Sequence, residues 1–254
     1  MLKLAFYGKG GIGKSTTVAN IALALAEKGL RVVQIGCDPK ADSTSLLLRG
    51  DRAVPVLDLV RRGVPFDVAE LGRTGAGGVI CVESGGPAPG VGCAGRGIIT
   101  ALETLESRGA FKLWNPDVVL YDVLGDVVCG GFSMPMRKGY ADCVFILTSG
   151  EKMALYAAAN IAMAVEHFRD RDYARLGGFI LNSRNVKDEE PRVRELAADF
   201  GSAVVGTLPW SPLVQEAEEK KKVLLEAFPQ SEMAECYRRL AEALLAAGGK
   251  EPRL

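Results

Sequence analysis

Apolar residues along this chain gather in short runs that do not alternate with polar ones. They are "LKLAFYG" (2–8), "RVVQIGCD" (31–38), "GGVICVES" (77–84), "DVVLYDVLG" (117–125), "CVFILTS" (143–149), "LGGFILNS" (176–183) and "AVVGTLP" (203–209). A strand wetted on one face alternates, whereas a run without alternation is covered on both faces, as in a parallel sheet. Between the runs lie stretches with one-sided, helical spacing: about 15–28, 95–108, 151–168, 189–200 and a C-terminal pair from about 212. Strand and helix in alternation predict an α/β fold, a doubly wound, mainly parallel sheet with helices on both faces. Residues 1–254 read as a single domain without repeats. The Gly- and Pro-rich stretch 83–97 interrupts the pattern, but strands continue beyond it, which marks a functional loop rather than a linker.

Composition narrows the function. The 254 residues carry 31 basic and 31 acidic side chains, so the chain lacks the basic excess of a nucleic-acid binder driven by counterion release. No apolar run is long enough to span a membrane, and the first residues lead straight into a strand without a signal-peptide pattern. The expected location is cytoplasmic. Six cysteines (37, 81, 93, 129, 143 and 236) are scattered with no C-x-x-C pair, which leaves buried thiols, catalysis or metal binding. His167, the lone histidine, falls in a helical stretch and reads as an ordinary boundary residue.

"GKGGIGKST" (8–16) follows the first strand and opens the first helix, matching the phosphate-loop pattern G-x-x-x-x-G-K-[ST]. Its glycines let backbone N–H groups turn toward phosphate oxygens. Lys14 reaches the β- and γ-phosphates, and the Ser15 hydroxyl is placed for Mg²⁺. Lys9 is surplus to that task, and its position beside the turn lets it point toward a neighbouring subunit. Asp38 ends the second strand next to the loop, where a carboxylate orients or deprotonates an attacking water. Lys40 and Asp42 follow in the polar turn "GCDPKADST". In "DVVLYDVLGD" an apolar run leads into Asp122 at a strand end, the position that holds Mg²⁺ directly or through water, and Asp126 lies in the turn beyond.

Cys93 and Cys129 both sit in glycine-rich loops after strands, a setting in which N–H groups can point at sulfur. A cubane cluster wants four thiolates, and a two-fold dimer of this chain would supply two from each copy. By position alone, a buried thiol is the more common alternative for any of the six cysteines. That alternative stands for Cys81, Cys143 and Cys236, and Cys37 fits either reading.

Taken together, "GKGGIGKST", "GCDPKADST", "PGVGCAGRGIITAL", "YDVLGDVVCGGFSMP", "SGEKMALYAAANI" and "LGGFILNSRN" resemble the nitrogenase iron proteins and nitrogenase-like reductases, a family of deviant P-loop NTPases. The resemblance runs from residue 1 to about 220. It implies a homodimer with one bridging [4Fe-4S] cluster on Cys93 and Cys129, and MgATP bound by Gly8, Lys9, Gly10, Gly11, Ile12, Gly13, Lys14, Ser15 and Thr16. It implies that Lys9 reaches the partner's nucleotide, that Asp38, Asp42, Asp122 and Asp126 carry hydrolysis and switching, and that Asn182 contacts the adenine. It places Arg96 on the surface that docks a nitrogenase-like catalytic component, the electron acceptor, with a ferredoxin or flavodoxin as donor. Two departures point away from nitrogen fixation and toward a nitrogenase-like reductase of the methylthio-alkane or F430 type. "PWSPLVQEAE" puts Trp210 where the family has an arginine, and the chain ends early in "LLAAGGKEPRL". The alternative in another class is a partitioning or scaffold ATPase of the MinD/ParA kind without redox chemistry.

Overall fold

The structure is a computed structural model that describes residues 1–86, 94–124, 133–168 and 173–249; Cys93, Asp126 and Cys129 lie outside them. Eight strands form one sheet: β1 (Leu2–Gly8), β2 (Val32–Cys37), β3 (Arg73–Thr74), β4 (Ile80–Glu83), β5 (Val118–Val123), β6 (Cys143–Thr148), β7 (Arg175–Asn182) and β8 (Val204–Leu208), in the order β3-β4-β2-β5-β1-β6-β7-β8. All seven apolar runs became strands, and they pair in parallel. β3 is antiparallel to β4 and both its residues are exposed, so no apolar pattern announced it.

Nine α-helices are described: α1 (Lys14–Glu27), α2 (Val56–Arg61), α3 (Ala94–Ser107), α4 (Ala110–Trp114), α5 (Lys152–His167), α6 (Glu189–Asp199), α7 (Pro212–Glu219), α8 (Leu224–Ala227) and α9 (Glu232–Gly248). Side chains of one strand feed two cores, as the period of two requires. Leu4 and Phe6 of β1 pack with α1 and α9, while Ala5 and Tyr7 pack with α3 and α5. The C-terminal region holds three helices rather than the expected pair. Leu224 and Leu225, each 1% exposed, fold the intervening segment into the short α8, and the Leu225 N–H donates to Asn20 Oδ1 on α1 at 3.1 Å. Among the described residues no helix is long and apolar enough to cross a membrane.

β1 lies between β5 and β6, so the chain leaves the centre of the sheet in both directions. The carboxyl ends of parallel strands open a crevice at such a point, and ligands bind there.

Candidate nucleotide site

The phosphate loop begins where β1 ends and closes on itself through Ile12 N–H to Lys9 C=O, at 3.1 Å. Gly13 caps α1 in the left-handed region, with φ 90°, and a Cβ there would stand 2.6 Å from Asn182 Nδ2. Only glycine meets both demands. The Asn182 amide donates instead to the Ile12 carbonyl at 2.7 Å, and Arg184 Nη2 donates to the Gly11 carbonyl at 2.8 Å, so the end of β7 braces the loop from outside.

Lys14 points at the end of β5. Its Nζ is 2.8 Å from Asp122 Oδ1, and the side chains are 11% and 2% exposed. The other carboxylate oxygen, Oδ2, accepts from Ser43 Oγ at 2.5 Å, and Gln34 Nε2 donates to both Ser43 oxygens at 3.2 Å. A cation from the start of α1, a carboxylate from the end of β5 and a hydroxyl from the turn after β2 are thus joined behind the loop. Phosphate oxygens bound in the loop would compete with Asp122 for Lys14, and a divalent cation would be a suitable replacement partner for the carboxylate.

In front of this cluster opens a cavity of about 620 Å³. That is ample for a nucleotide, since ligand pockets run to about 300–1,000 Å³. Its walls bring together Lys9, Gly10, Gly11, Gly13, Lys14, Ser15 and Thr16 with Asp38, Lys40, Asp42 and Asn182, the last far from the others in the chain. Gly8 and Ile12 do not line it; Ile12 is 3% exposed and contributes its carbonyl rather than its side chain. Asp38 accepts from the Lys40 N–H at 2.9 Å, which tightens the turn after β2. Asp42 and Lys40 are exposed. The far wall is less charged, with Pro209, Trp210, Met233 and Tyr237; Trp210 is 51% exposed at its rim. Arg96 is exposed in the first turn of α3.

Glu189 went unnoticed in the sequence. It is 7% exposed and accepts from the Gly150 N–H at 2.9 Å, Ser183 Oγ at 2.5 Å and the Arg184 N–H at 3.0 Å, fixing the segment that braces the phosphate loop. Burial raises its pKa, but these donors prevail and hold it below the ordinary carboxylate value. A depressed folded pKa gives stability that is present above the unfolded value and lost as pH falls through the folded one. Glu189→Ala should therefore lower the unfolding free energy by about 2–3 kcal/mol at neutral pH, with less loss in acid, as read by urea unfolding across pH. An equal loss at every pH would rule the carboxylate's charge out as the cause. Thr16 Oγ1 to Glu218 Oε1, at 2.6 Å, is a second unforeseen link, tying α1 to α7.

Four cysteines are described, and all are buried. Burial first, then the neighbouring Asp122, pushes the Cys37 thiol far up; burial and Glu83 push Cys81 up to about 12. Such thiols stay protonated and make poor metal ligands. Cys37, which fitted either reading, is thus a core thiol.

The model of the family described as 4Fe-4S iron sulfur cluster binding proteins, NifH/frxC family, matches residues 2–252. Nitrogenase iron protein 2 of Methanothermobacter thermautotrophicus is 53% identical over 242 residues, covering 95% of this chain and 89% of that one. The nitrogenase iron protein of Methanospirillum hungatei JF-1 is 51% identical over 249 residues, covering 96% and 88%. Among solved structures, the cell division ATPase MinD of Pyrococcus furiosus is similar with a TM-score of 0.74 at 17% identity, covering 96% of this chain and 98% of that one. A ParA family ATPase from Chlorobium tepidum TLS gives 0.73 at 16% identity, covering 95% and 98%. At such identities the likeness to solved structures concerns the fold alone.

Proposed function

The chain belongs to the NifH/frxC family of 4Fe-4S iron–sulfur cluster binding proteins, ATP-hydrolysing iron–sulfur reductases, and we propose that it serves a nitrogenase-like catalytic component other than the nitrogen-fixing one. The observation that carries the site assignment is convergence at one sheet edge. The phosphate loop, Asp38, Asp42 and the Lys14–Asp122 pair meet at the carboxyl ends of β1, β2 and β5. The segments leading to Cys93 and Cys129 leave from the ends of β4 and β5 at that same edge.

The residues present fit MgATP: glycine N–H groups, a lysine, and a buried carboxylate held ready behind the loop. The loop N–H groups and Lys14 hold the β- and γ-phosphates. Ser15 Oγ and Asp122 hold the magnesium side, and Asp38 orients the attacking water, with Asp42 and Lys40 in the same turn. Asn182 and Trp210 flank the base. Lys9, half-buried at the cavity wall, reaches the nucleotide of a second copy and closes the homodimer. Thiolate donors for the cluster come from Cys93 and Cys129 of each copy, because the four described thiols are buried. The cluster supplies one-electron storage at a potential tuned by its surroundings. Asp126, three residues before Cys129, links phosphate sensing to that thiolate. Arg96 offers an exposed cation to the docking face, and a ferredoxin or flavodoxin supplies electrons in the cytoplasm. The whole chain acts as one ATPase and iron–sulfur domain.

Support for the nitrogenase-like subtype comes from Trp210, an aromatic at the cavity rim in place of the family's arginine. Protein purified without oxygen and locked with MgADP–aluminium fluoride should hold a catalytic component in a stable complex, identified by mass spectrometry. A nitrogen-fixing component in that complex would overturn the subtype; no complex at all would overturn the reductase role.

A further inference from the structure

β4 ends in Glu83, a carboxyl group with no exposure to water. Its Oε1 accepts from the Thr44 N–H at 2.7 Å and from Thr44 Oγ1 at 2.6 Å. Its Oε2 has no hydrogen-bond partner and lies against Gly36, where a Cβ would come within 2.0 Å. Charged side chains are almost never buried this fully without a purpose that offsets the desolvation cost. Thr44 adjoins Ser43, which donates to Asp122, and so belongs to the turn that lines the nucleotide cavity from Asp38 onward.

Three further contacts fasten the residues after Glu83 to β2 and the turn beyond it, and a fourth ties them to α2. The Ser84 N–H and Oγ both donate to the Gly36 carbonyl, at 2.9 and 2.8 Å. Gly86 abuts Pro39, between Asp38 and Lys40, so closely that a Cβ at 86 would stand 2.4 Å from Pro39 Cβ. Arg61 Nη2 donates to the Gly86 carbonyl at 2.5 Å. The segment 83–86 therefore runs along the Asp38–Thr44 turn with its first and last residues in contact with it. Seven residues further on stands Cys93.

We propose that Glu83 is a positioning residue that clamps the Asp38–Thr44 turn to the segment leading into Cys93, so that a shift of the turn on nucleotide binding is passed to the cluster. This rests on Cys93 being a cluster ligand. It gives the cluster a second mechanical link to the nucleotide, independent of the Asp126–Cys129 link and acting on the other thiolate of each chain. The clamp suits transmission because it is dry and holds Thr44 by both its backbone N–H and its hydroxyl. A dry hydrogen bond is stiff, and packed interiors move as units. Glu83 does not line the nucleotide cavity, and its effect passes through Thr44 and the segment to Gly86.

The test uses the full-length dimer purified without oxygen, with saturating MgATP so that affinity does not enter. In the parent protein MgATP should change hydrogen exchange across residues 94–107 and move the cluster's midpoint potential. Glu83→Ala should shrink both responses about fivefold or more, the lower end of an ordinary allosteric coupling. Glu83→Gln keeps an acceptor oxygen for Thr44 and should restore them. Thr44→Val deletes one of the two bonds and should give a partial loss, which also covers an alanine variant that does not fold. Responses of parental size in the alanine and valine variants would overturn the proposal, and so would equal losses in Glu83→Ala and Glu83→Gln. Iron that stays bound in Cys93→Ser is a separate result, a failure of the ligand assignment rather than of the clamp.

Discussion

Cys129→Ser should yield a dimer with almost no iron, against about four per dimer in the parent. The brown colour and electron transfer should vanish with it, while MgATP still binds. One substitution removes two ligands, because each copy contributes the same residue across the two-fold axis. A serine hydroxyl is a hard, weakly acidic donor and a poor replacement for a soft thiolate on iron. Nor can another cysteine of the chain step in. Cys37, Cys81 and Cys143 are fully buried in strand positions, and Cys236 is 9% exposed in α9. Cys236→Ser is therefore the control and should leave the iron content at the parental level. Iron determination and the visible spectrum read both variants. A full complement of iron in Cys129→Ser would remove the bridging cluster from the account of this chain.

Much of this was legible in the sequence because it is local. Residues covered on both faces form continuous apolar runs, and every such run is a strand. The phosphate loop is a contiguous pattern, and Asp38 and Asp122 stand at strand ends that the runs themselves mark. What stayed hidden is what depends on tertiary approach. β3, with two exposed residues, is defined only by its pairing with β4. α2 and α4, of six and five residues, are too short to show a helical period.

The braces of the site were equally silent. Glu83 looked like the polar end of a strand, yet its partner Thr44 is thirty-nine residues away. Glu189 looked like an acidic residue in the first turn of a helix, a common placement that needs no further reason. Its bond to Gly150 spans thirty-nine positions and is invisible to any periodicity. The Thr16–Glu218 and Asn20–Leu225 links span more than two hundred. The residues that do chemistry sit in motifs, and those that hold them still are scattered, because rigidity is supplied by whatever packs nearby.

Lys14→Met should cost the protein twice, and the two costs can be separated. Hydrolysis of ATP should fall to background, since the β- and γ-phosphates lose the ammonium of Lys14 that the loop aims at them. Stability without nucleotide should also drop, because Asp122 at 2% exposure would lose the ammonium 2.8 Å away, leaving only Ser43 as a partner among the described residues. Breaking a buried ion pair from one side costs about 3–5 kcal/mol, whereas removing both charges is often nearly neutral. For a chain of this size that is a fall in melting temperature of roughly 6–20 °C. Adding Asp122→Asn to Lys14→Met removes the stranded charge, so the double variant should recover most of the lost stability while hydrolysis stays at background. Thermal unfolding and phosphate release, measured on the parent, each single variant and the double variant, distinguish the contributions. A Lys14→Met protein that melts with the parent would mean the ion pair contributes nothing to the folded state. Recovery of hydrolysis in the double variant would mean that Lys14 serves the fold and that another group holds the phosphates.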